Sequence, residues 1–251
     1  MFDVIVELGR ERRWRYVEFR GGETILPSSA SVAATYYGHT LDLTVGTGAL
    51  FCRLASPVRR AVRKSIKSGL SVDVSNSRTG MLQFYKLHAR TRRRHGLPPQ
   101  SLSFFANIYD EIIKPGHGFV IIARKSKTPV AAAIFFHSDT NALYKFGASE
   151  DKLQQLRGNN LVMWEAIGML AERGVRTLHF GRTAGTNAGL RRFKLAWGTE
   201  EQVVKYFRCS CDGRSSRERR SEGVAFYNKI FRWLPIAASR GIGKMLYPHL
   251  D

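Results

Sequence analysis

The chain has 251 residues, of which 43% are hydrophobic and 11% aromatic, so it can bury a core and is neither a disordered tail nor a membrane bundle. Its 40 Lys and Arg residues outnumber its 20 Asp and Glu residues, which gives a formal net charge of +20. Such a surface favours polyanions such as nucleic acid, anionic lipid headgroups or phosphorylated substrates, although it also suits a protein that is merely kept in solution. Without a membrane-length apolar stretch or a secretory signal pattern, we expect a cytoplasmic protein.

The three cysteines, Cys52, Cys209 and Cys211, have neither the spacing of a zinc ribbon nor that of a CxxC redox motif. Cys209 and Cys211 lie two residues apart in a segment with strand character, so their side chains are expected on one face of that strand. We therefore expect reduced, structural thiols and no metal site.

The first 56 residues are rich in aromatic and β-branched residues interrupted by glycine, which predicts strands and turns. The next segment, SPVRRAVRKSIKSG, predicts a basic helix with Pro57 in its first turn and Gly69 at its end. A second helix is predicted over residues 80–95, and a third over residues 101–113.

Three strand-like runs follow in quick succession, GFVIIARKS, PVAAAIFFHS and NALYKFGAS, and they predict an antiparallel meander. The segment NNLVMWEAIGMLAERG then has helical spacing and ends at Gly174, and the following VRTLHFGRT predicts another strand. Helices and strands in this order predict an α/β fold of the α+β kind, in which a mixed central sheet has flanking helices.

The end of the chain changes character twice. Residues 209–223 are polar and charged, which predicts an exposed linker. Residues 224–251 interleave aromatic and aliphatic residues with cations, as is typical of an interfacial amphipathic helix, and Pro235 is expected to break this helix. Docking on an anionic membrane and packing on the main domain are both open for this amphipathic C-terminal extension.

The run LHFGRTAGTNAGLRRFKLAWGTE resembles the signature that closes the acyltransferase domain of FemAB-like proteins, including those associated with exopolysaccharide and PEP-CTERM loci. In that family a strand ending in FGR is followed by a glycine-containing loop and then by FK and WG. The matching residues here are Phe180, Gly181, Arg182, Gly189, Phe193, Lys194, Trp197 and Gly198. The basic helix, LYKFGAS and LRGNNLVMWEAIGMLAERGVRTLHF are similar to further blocks, so the resemblance covers residues from about 40 to 208.

The resemblance implies a GNAT-type fold and divides the chain into four parts. These are a partial N-terminal GNAT-like half with the basic helix (1–75), a FemAB-like acyltransferase domain (76–208), the linker (209–223) and the C-terminal extension (224–251). The chain departs from the family pattern at His179, where the family often has Asp before FGR. It also departs in its N-terminal half, which is shorter than is usual and is expected to be truncated.

Acyl transfer to an amine requires a neutral amine, a donor carbonyl beside it and a group that stabilises the developing oxyanion. The sequence has no GxSxG elbow and no recognisable Cys and His arrangement, which agrees with direct transfer. The catalytic candidates are Tyr144 to orient or protonate the leaving group, His179 to move a proton, and Arg182 to hold a phosphate or carboxylate. Each also has a structural interpretation: a packed tyrosine, a semi-buried histidine and a surface arginine.

A second set of residues is predicted to bind the donor or the substrate. Its members are Arg63, Lys64, Gly158, Asn159, Asn160, Thr183, Phe193 and Lys194. Residues 158–160 begin a predicted helix, where free amide groups bind anions, and the GNAT resemblance implies that the pyrophosphate of coenzyme A lies there, although an N-cap role explains the asparagines equally well. The basic helix, together with RRRH at residues 92–95, suits a polyanion, whereas a solvated charged face is the alternative.

The resemblance implies a bacterial enzyme that transfers an acyl or aminoacyl group to an amino group of a peptidoglycan or exopolysaccharide precursor. The donor would be aminoacyl-tRNA or acyl-CoA, with no tightly bound cofactor. The acceptor would be a lipid-linked or sugar amine, reached by peripheral contact with the inner face of the cell membrane. Two alternatives stay open: a basic RNA-binding protein that keeps the fold without catalysis, and an accessory protein that binds an acyl chain or anionic lipid.

Overall fold

The computed structural model describes residues 2–27, 30–211 and 234–247. The helices of this part are α1 (Phe2–Glu11), α2 (Thr47–Arg53), α3 (Ser56–Lys67), α4 (Arg78–Arg94), α5 (Leu102–Ile108), α6 (Gly158–Glu172), α7 (Ala188–Leu195) and α8 (Ile236–Leu246). Its strands are β1 (Tyr16–Arg20), β2 (Val32–Asp42), β3 (Ser71–Ser75), β4 (Gly118–Lys125), β5 (Thr128–His137), β6 (Asn141–Ser149), β7 (Thr177–Ala184) and β8 (Glu200–Ser210).

The strands form one sheet in the order β1-β8-β2-β7-β6-β5-β4-β3. All neighbouring strands are antiparallel except β6 and β7, which are parallel. The predicted mixed α/β architecture and the predicted meander of β4, β5 and β6 are therefore confirmed.

The N-terminal strands do not form a separate half, because they enter the same sheet as the C-terminal strands. Tyr37 of β2 pairs with Thr183 on one side and with Val203 on the other, so β2 lies between β7 and β8. Residues on both sides of the boundary expected at residue 75 therefore contribute strands to one sheet. The prediction of strands and turns alone for the first 56 residues was also wrong, since α1 and α2 lie in this region.

Helices cover the sheet on both sides. On the side called here the first face, α2, α3 and α6 pack on alternate residues of β4 and β5, such as Ile121 and Phe135. On the second face, α4 and α5 pack on the residues between them, such as Ile122 and Ile134. Each of these four side chains is fully buried, which is why β4 and β5 read as continuous apolar runs.

The last described helix, α8, packs against α4 and the segment that follows it. Gly243 lies so close to the Pro99 carbonyl that a Cβ there would overlap it, and Arg240 donates from Nε to the Tyr85 hydroxyl at 3.1 Å. The helix begins directly after Pro235. The predicted aromatic stretch between residues 224 and 233 lies outside the described residues, as does most of the linker. Of the helices described, none is long and apolar enough to cross a bilayer.

Candidate active site

The parallel strands β6 and β7 separate halfway along their length. Pairing runs from Asn141 with Thr177 to Leu143 with His179, and it stops there although β6 continues to Ser149 and β7 to Ala184. Beyond this point, the backbone N–H and C=O groups of β6 have no strand partner on the β7 side among the described residues. Since such groups require hydrogen-bond partners, the split is a place where the backbone can bind an extended ligand.

A β-bulge lies in β6 at the start of this split. Phe135 pairs with Tyr144 and Ile134 pairs with Phe146, so Lys145 is the extra residue. The bulge turns Tyr144 and Gly147 towards the same face, and a Cβ on residue 147 would overlap the Tyr144 hydroxyl. Glycine at this position therefore leaves room for the phenol.

Tyr144 lines a small cavity of about 70 Å³ on the first face, together with Asn159, Met163 and Phe193. Its ring contacts those of Phe135 and Phe180 at centroid distances of 5.4 and 6.2 Å. Burial raises the pKa of the Tyr144 phenol to about 12. The hydroxyl therefore keeps its proton at neutral pH and can donate it to a hydrogen bond inside the cavity.

The start of α6 lies beside this cavity. Arg157 has the left-handed backbone conformation, with φ 59°, and Gly158 approaches β5 so closely that a Cβ would lie 2.9 Å from Val130 Cγ1. Residues 157–160 line a second cavity of about 130 Å³ together with Ser149 and Glu150. The Asn160 amide donates to the Arg157 carbonyl at 3.0 Å, so within the described residues the amides of Gly158 and Asn159 are those that a ligand beside the split could use.

A cationic groove of about 390 Å³ continues from this helix start to α3. It is lined by Arg60 and Lys64 of α3 and by Arg157 and Asn160. Arg63 does not line the groove, since its guanidinium lies 5.4 Å from the centre of the Phe51 ring. Among the described residues, none of the five cations of α3 forms a salt bridge with a carboxylate. The basic helix therefore carries a concentrated positive charge beside the predicted donor site.

Three arginines near the end of α4 bind side chains of the protein itself, whereas residues 92–95 were expected to bind a polyanion. Arg90 pairs with Glu150 at 2.6 Å and Arg94 with Asp151 at 3.0 Å, so both hold the loop between β6 and α6. Arg92 donates to the Tyr247 hydroxyl at 2.5 Å and so attaches the end of α8. The expectation that residues 92–95 extend the polyanion surface of α3 is corrected, because α4 lies on the other face of the sheet.

Lys194 of α7 is buried against the bulge of β7. Its ammonium donates to the carbonyl of Gly181 at 2.8 Å and to that of Arg182 at 3.0 Å, and the side chain is nearly inaccessible. Gly181 has φ 71°, a conformation that suits glycine and accommodates the bulge. Burial lowers the pKa of Lys194 to about 8, so the ammonium form still predominates at neutral pH.

A buried polar cluster beside Lys194 was not predicted from the sequence. His39 of β2 is buried, and its Nε2 lies 3.1 Å from Oε2 of Glu201, which Arg191 holds with two bonds of 2.6 Å. Burial lowers the pKa of His39, and the charge of Lys194 lowers it further, while Glu201 opposes this shift. The Arg191 fork lowers the pKa of Glu201. No motif marks His39, because only the pairing of distant strands brings it to this position.

The three catalytic candidates do not lie on one face of the sheet. Tyr144 faces the first-face core, whereas His179 points to the second face, where its Nδ1 lies 3.2 Å from Thr40 Oγ1. Arg182 also lies on the second face, stacked on Tyr36 of β2 at 4.7 Å. The structure therefore does not bring Tyr144, His179 and Arg182 together. Ordinary alternation with Leu178 and Phe180 puts His179 on the second face, and the β7 bulge puts Arg182 there as well.

The remaining candidates lie on the first face. Thr183 is buried, and its Oγ1 has no hydrogen-bond partner among the described residues. Phe193 lines the cavity of Tyr144 and contacts the buried ring of Trp197 edge-on, with centroids 6.3 Å apart. In the described part of the chain, no group of His, Cys, Asp or Glu side chains has the arrangement of a metal site.

Comparison with known proteins gives matches that agree with this geometry. A family model described as an acetyltransferase (GNAT) domain matches residues 54–195. Lipid II:glycine glycyltransferase of Staphylococcus haemolyticus (strain JCSC1435) is 22% identical to the chain, over 56% of this chain and 50% of that protein. The chain therefore spans about half the length of this curated relative.

Three solved structures illustrate the likeness of fold. The structure of FemX has a TM-score of 0.62 and 17% identity, covering 79% of this chain and 67% of that chain. A tandem GNAT protein from the clavulanic acid biosynthesis pathway has a TM-score of 0.54 and 11% identity, and the match covers 86% of this chain and 70% of that chain. L-PGS from Bacillus licheniformis has a TM-score of 0.50 and 14% identity, and the match covers 88% of this chain and 67% of that chain. These likenesses confirm the GNAT-type fold.

Proposed function

The chain belongs to the family of acetyltransferase (GNAT) domains, and on this premise we propose that it transfers an acyl or aminoacyl group to an amine of a peptidoglycan or exopolysaccharide precursor. The observation that supports this proposal best is the split between β6 and β7, which has an anion-binding helix start and a cationic groove beside it. The match to a lipid II:glycine glycyltransferase supports a cell-envelope acceptor.

In this reaction the amine nitrogen attacks the carbonyl carbon of the donor. The bond from that carbon to the ester oxygen of an aminoacyl-tRNA, or to the thioester sulfur of an acyl-CoA, then breaks. The proton lost by the amine ends on this leaving atom, so the chain need supply no covalent nucleophile. The unpaired backbone of β6 beyond Leu143 would hold the acyl chain by strand-like hydrogen bonds.

Tyr144 is proposed to donate a hydrogen bond to the leaving atom or to protonate it. The phenol suits this role because it keeps its proton at neutral pH and lines the cavity at the end of the split. Lys194 is proposed to stabilise the developing oxyanion as an ammonium ion. Its two bonds to the β7 carbonyls leave one N–H unassigned, and the charge is strong because it is buried.

Both proposed donors are polyanions, and the groove between α3 and α6 would bind either. The amides of Gly158 and Asn159 at the start of α6 would take the phosphate nearest to the acyl group. Arg60, Lys64 and Arg157 would neutralise the phosphates that follow. This assignment keeps Lys64 as a donor-binding residue. Arg63 is proposed to act only through its long-range charge, since it lies outside the groove.

The acceptor is proposed to be a lipid-linked or sugar amine at the cytoplasmic face of the membrane. On the described surface, Met245 of α8 is 76% exposed and Leu246 is 40% exposed, which supports weak peripheral contact with lipid. Because α8 also packs on α4, the extension is proposed to stabilise the domain as well.

A second candidate is a protein that binds RNA or anionic lipid without catalysis. The observation in its favour is the cationic α3, which would bind any polyanion whether or not transfer follows. This candidate predicts strong binding that weakens steeply with salt and an unchanged donor after prolonged incubation.

The test is a transfer assay read by mass spectrometry. Acetyl-CoA and glycyl-tRNA are supplied separately as donors, with glucosamine or lipid II as acceptor, to the parent and to Lys194→Met. We expect an acylated amine with one donor and a loss on the order of 100-fold in rate for the variant, as for removal of an oxyanion-stabilising group. Arg176→Gln is the matched control, since it removes an exposed cation outside the split. Donor binding without product from any pair would favour the second candidate.

A further inference from the structure

The second face of the sheet carries an array of arginines and tyrosines over β1, β8, β2 and β7. We call this array the arginine–tyrosine face, and its members are Tyr16, Arg20, Tyr36, Arg182, Tyr206 and Arg208. Strand pairing places them on one side of the sheet. Arg20 pairs with Tyr206, and Arg182 pairs with Gly38, which lies two residues from Tyr36 on β2. In the described part of the chain, α4 and α5 cover this face only over the strands beyond β7.

Arg182 is held at the inner end of this array. Its guanidinium lies 4.7 Å from the centre of the Tyr36 ring and 5.1 Å from that of Tyr206, and Nη1 donates to the Tyr206 hydroxyl at 2.6 Å. The two rings are themselves in contact, with centroids 4.6 Å apart. The arginine is therefore fixed in one orientation while its side chain stays exposed and its other N–H groups stay available.

The charges around Arg182 are not balanced within the described residues. Glu18 is the carboxylate of the array, and it is already bound by Arg20 at 3.0 Å and by Arg208 at 2.7 Å. Arg182 itself forms no salt bridge in the described ranges. A rigid guanidinium without a carboxylate partner is a fork that fits a phosphate or a carboxylate with two parallel hydrogen bonds.

The position of Arg182 links it to the proposed site of transfer. Its backbone carbonyl accepts a bond of 3.0 Å from the Lys194 ammonium on the first face, while its side chain emerges on the second face. The groove proposed for the donor lies on the first face, so it and the Arg182 guanidinium lie on opposite faces of the sheet. A second substrate bound by Arg182 would therefore not displace the donor.

We propose that the arginine–tyrosine face is the acceptor side of the enzyme, and that Arg182 selects acceptors whose amine is accompanied by a phosphate or a carboxylate. This inference rests on the proposed transferase function. The tyrosines hold the fork in place, so lysine at position 182 would keep the charge and lose the two-bond geometry.

The experiment compares three acceptor amines that share one sugar: glucosamine, glucosamine 6-phosphate and muramic acid. With the parent, we expect kcat/KM to be higher for one or both anionic sugars than for glucosamine. In Arg182→Gln this preference should fall by about 10- to 100-fold, mainly through an increase in KM. A change of this size is typical for the loss of one charge-assisted hydrogen bond. Arg182→Lys should keep part of the preference. If the preference for glucosamine 6-phosphate alone is lost, Arg182 binds the phosphate; if the preference for muramic acid alone is lost, it binds the carboxylate.

Equilibrium binding of the same sugars, measured by calorimetry without donor, tests the inference independently of activity. The parent should bind an anionic sugar more tightly than glucosamine, and Arg182→Gln should not, while Arg176→Gln should behave as the parent. Equal binding of all three sugars by the parent, or an unchanged preference in Arg182→Gln, overturns the inference. If Lys194→Met still abolishes transfer in that case, the proposed function stands and only the acceptor assignment fails.

Discussion

The two halves of the sheet differ in how completely they are covered. Strands β3 to β6 have helices on both faces and bury side chains such as Phe119, Ile122 and Ile134 almost completely. Strands β7, β2, β8 and β1 carry charged and aromatic side chains on a second face that no helix of the described residues covers. We call them the covered half and the open half.

The difference predicts that stability and transfer depend on different parts of one sheet. In the covered half, β4, β5 and β6 form a meander, and an apolar core lies on each side of it. The open half joins strands from the two ends of the chain, and the split, Lys194 and Arg182 all lie at its border. Substitutions in the covered half should therefore change unfolding, whereas those at the border should change transfer.

The largest expected effect is in the covered half. Phe135→Ala removes a fully buried ring that stacks on Phe119 at 5.3 Å, so we expect the free energy of unfolding to fall by about 3–5 kcal/mol. The matched change in the open half is Val203→Ala, where the side chain is 56% exposed and a change within about 0.5 kcal/mol is expected. Denaturant unfolding measures both, and similar losses at the two positions would remove the distinction between the halves.

The next prediction tests whether the Lys194 ammonium is buried at the border between the two halves. The pKa of Lys194 is lowered from 10.5 to about 8 in the folded chain, so between these pH values the unfolded chain binds more protons. The free energy of unfolding of the parent should therefore rise with pH in this window, relative to Lys194→Met, by about 2 kcal/mol. Parallel curves for the two proteins from pH 7 to pH 10.5 would contradict the burial of the ammonium.

Tyr144→Phe separates packing from chemistry at the end of the split. The ring contacts with Phe135 and Phe180 remain in this variant, so the melting temperature should change little. Loss of the hydroxyl should lower kcat by about 10-fold while KM for the donor stays constant, as expected for a group that acts on the leaving atom. Steady-state kinetics with the donor identified by the transfer assay makes the comparison, and an unchanged kcat would leave Tyr144 a packing residue.

The smallest effect concerns the cationic groove. Lys64→Glu and Arg63→Glu make the same change of charge on the same helix, but only Lys64 lines the groove. We expect Lys64→Glu to weaken binding of tRNA or coenzyme A by about 5- to 10-fold and to flatten the dependence on salt, and Arg63→Glu to do so less. Fluorescence anisotropy at several salt concentrations measures this, and equal effects would show a diffuse field instead of a groove.

The fold of the covered half could be predicted because its signals are local. The continuous apolar runs of β4 and β5, the turn between them and the helical spacing of α3, α4 and α6 all lie within short segments. The insertion of β2 between β7 and β8 could not be predicted, since it depends on pairing between residues about 150 positions apart, such as Tyr37 with Thr183 and Val203.

The site was partly predictable for a related reason. The strand pattern, the resemblance and helix-start physics were enough to make Tyr144, Lys194 and the start of α6 candidates. Alternation along β7 would have put Arg182 on the same face as Phe180, but the bulge at Gly181 reverses this, so the face of Arg182 was missed. His39 and Glu201 carry no local signal and meet only in the folded sheet.

The central claim is that the split between β6 and β7, with the start of α6, holds the donor. Amide hydrogen exchange read by mass spectrometry tests it directly, with coenzyme A and deacylated tRNA added separately to the full chain. The account predicts that one of them slows exchange in peptides covering residues 144–149 and 157–160, and leaves peptides covering residues 16–20 of β1 unchanged. Slower exchange confined to β1 and β8, or no change near the split with a bound ligand, would contradict the account.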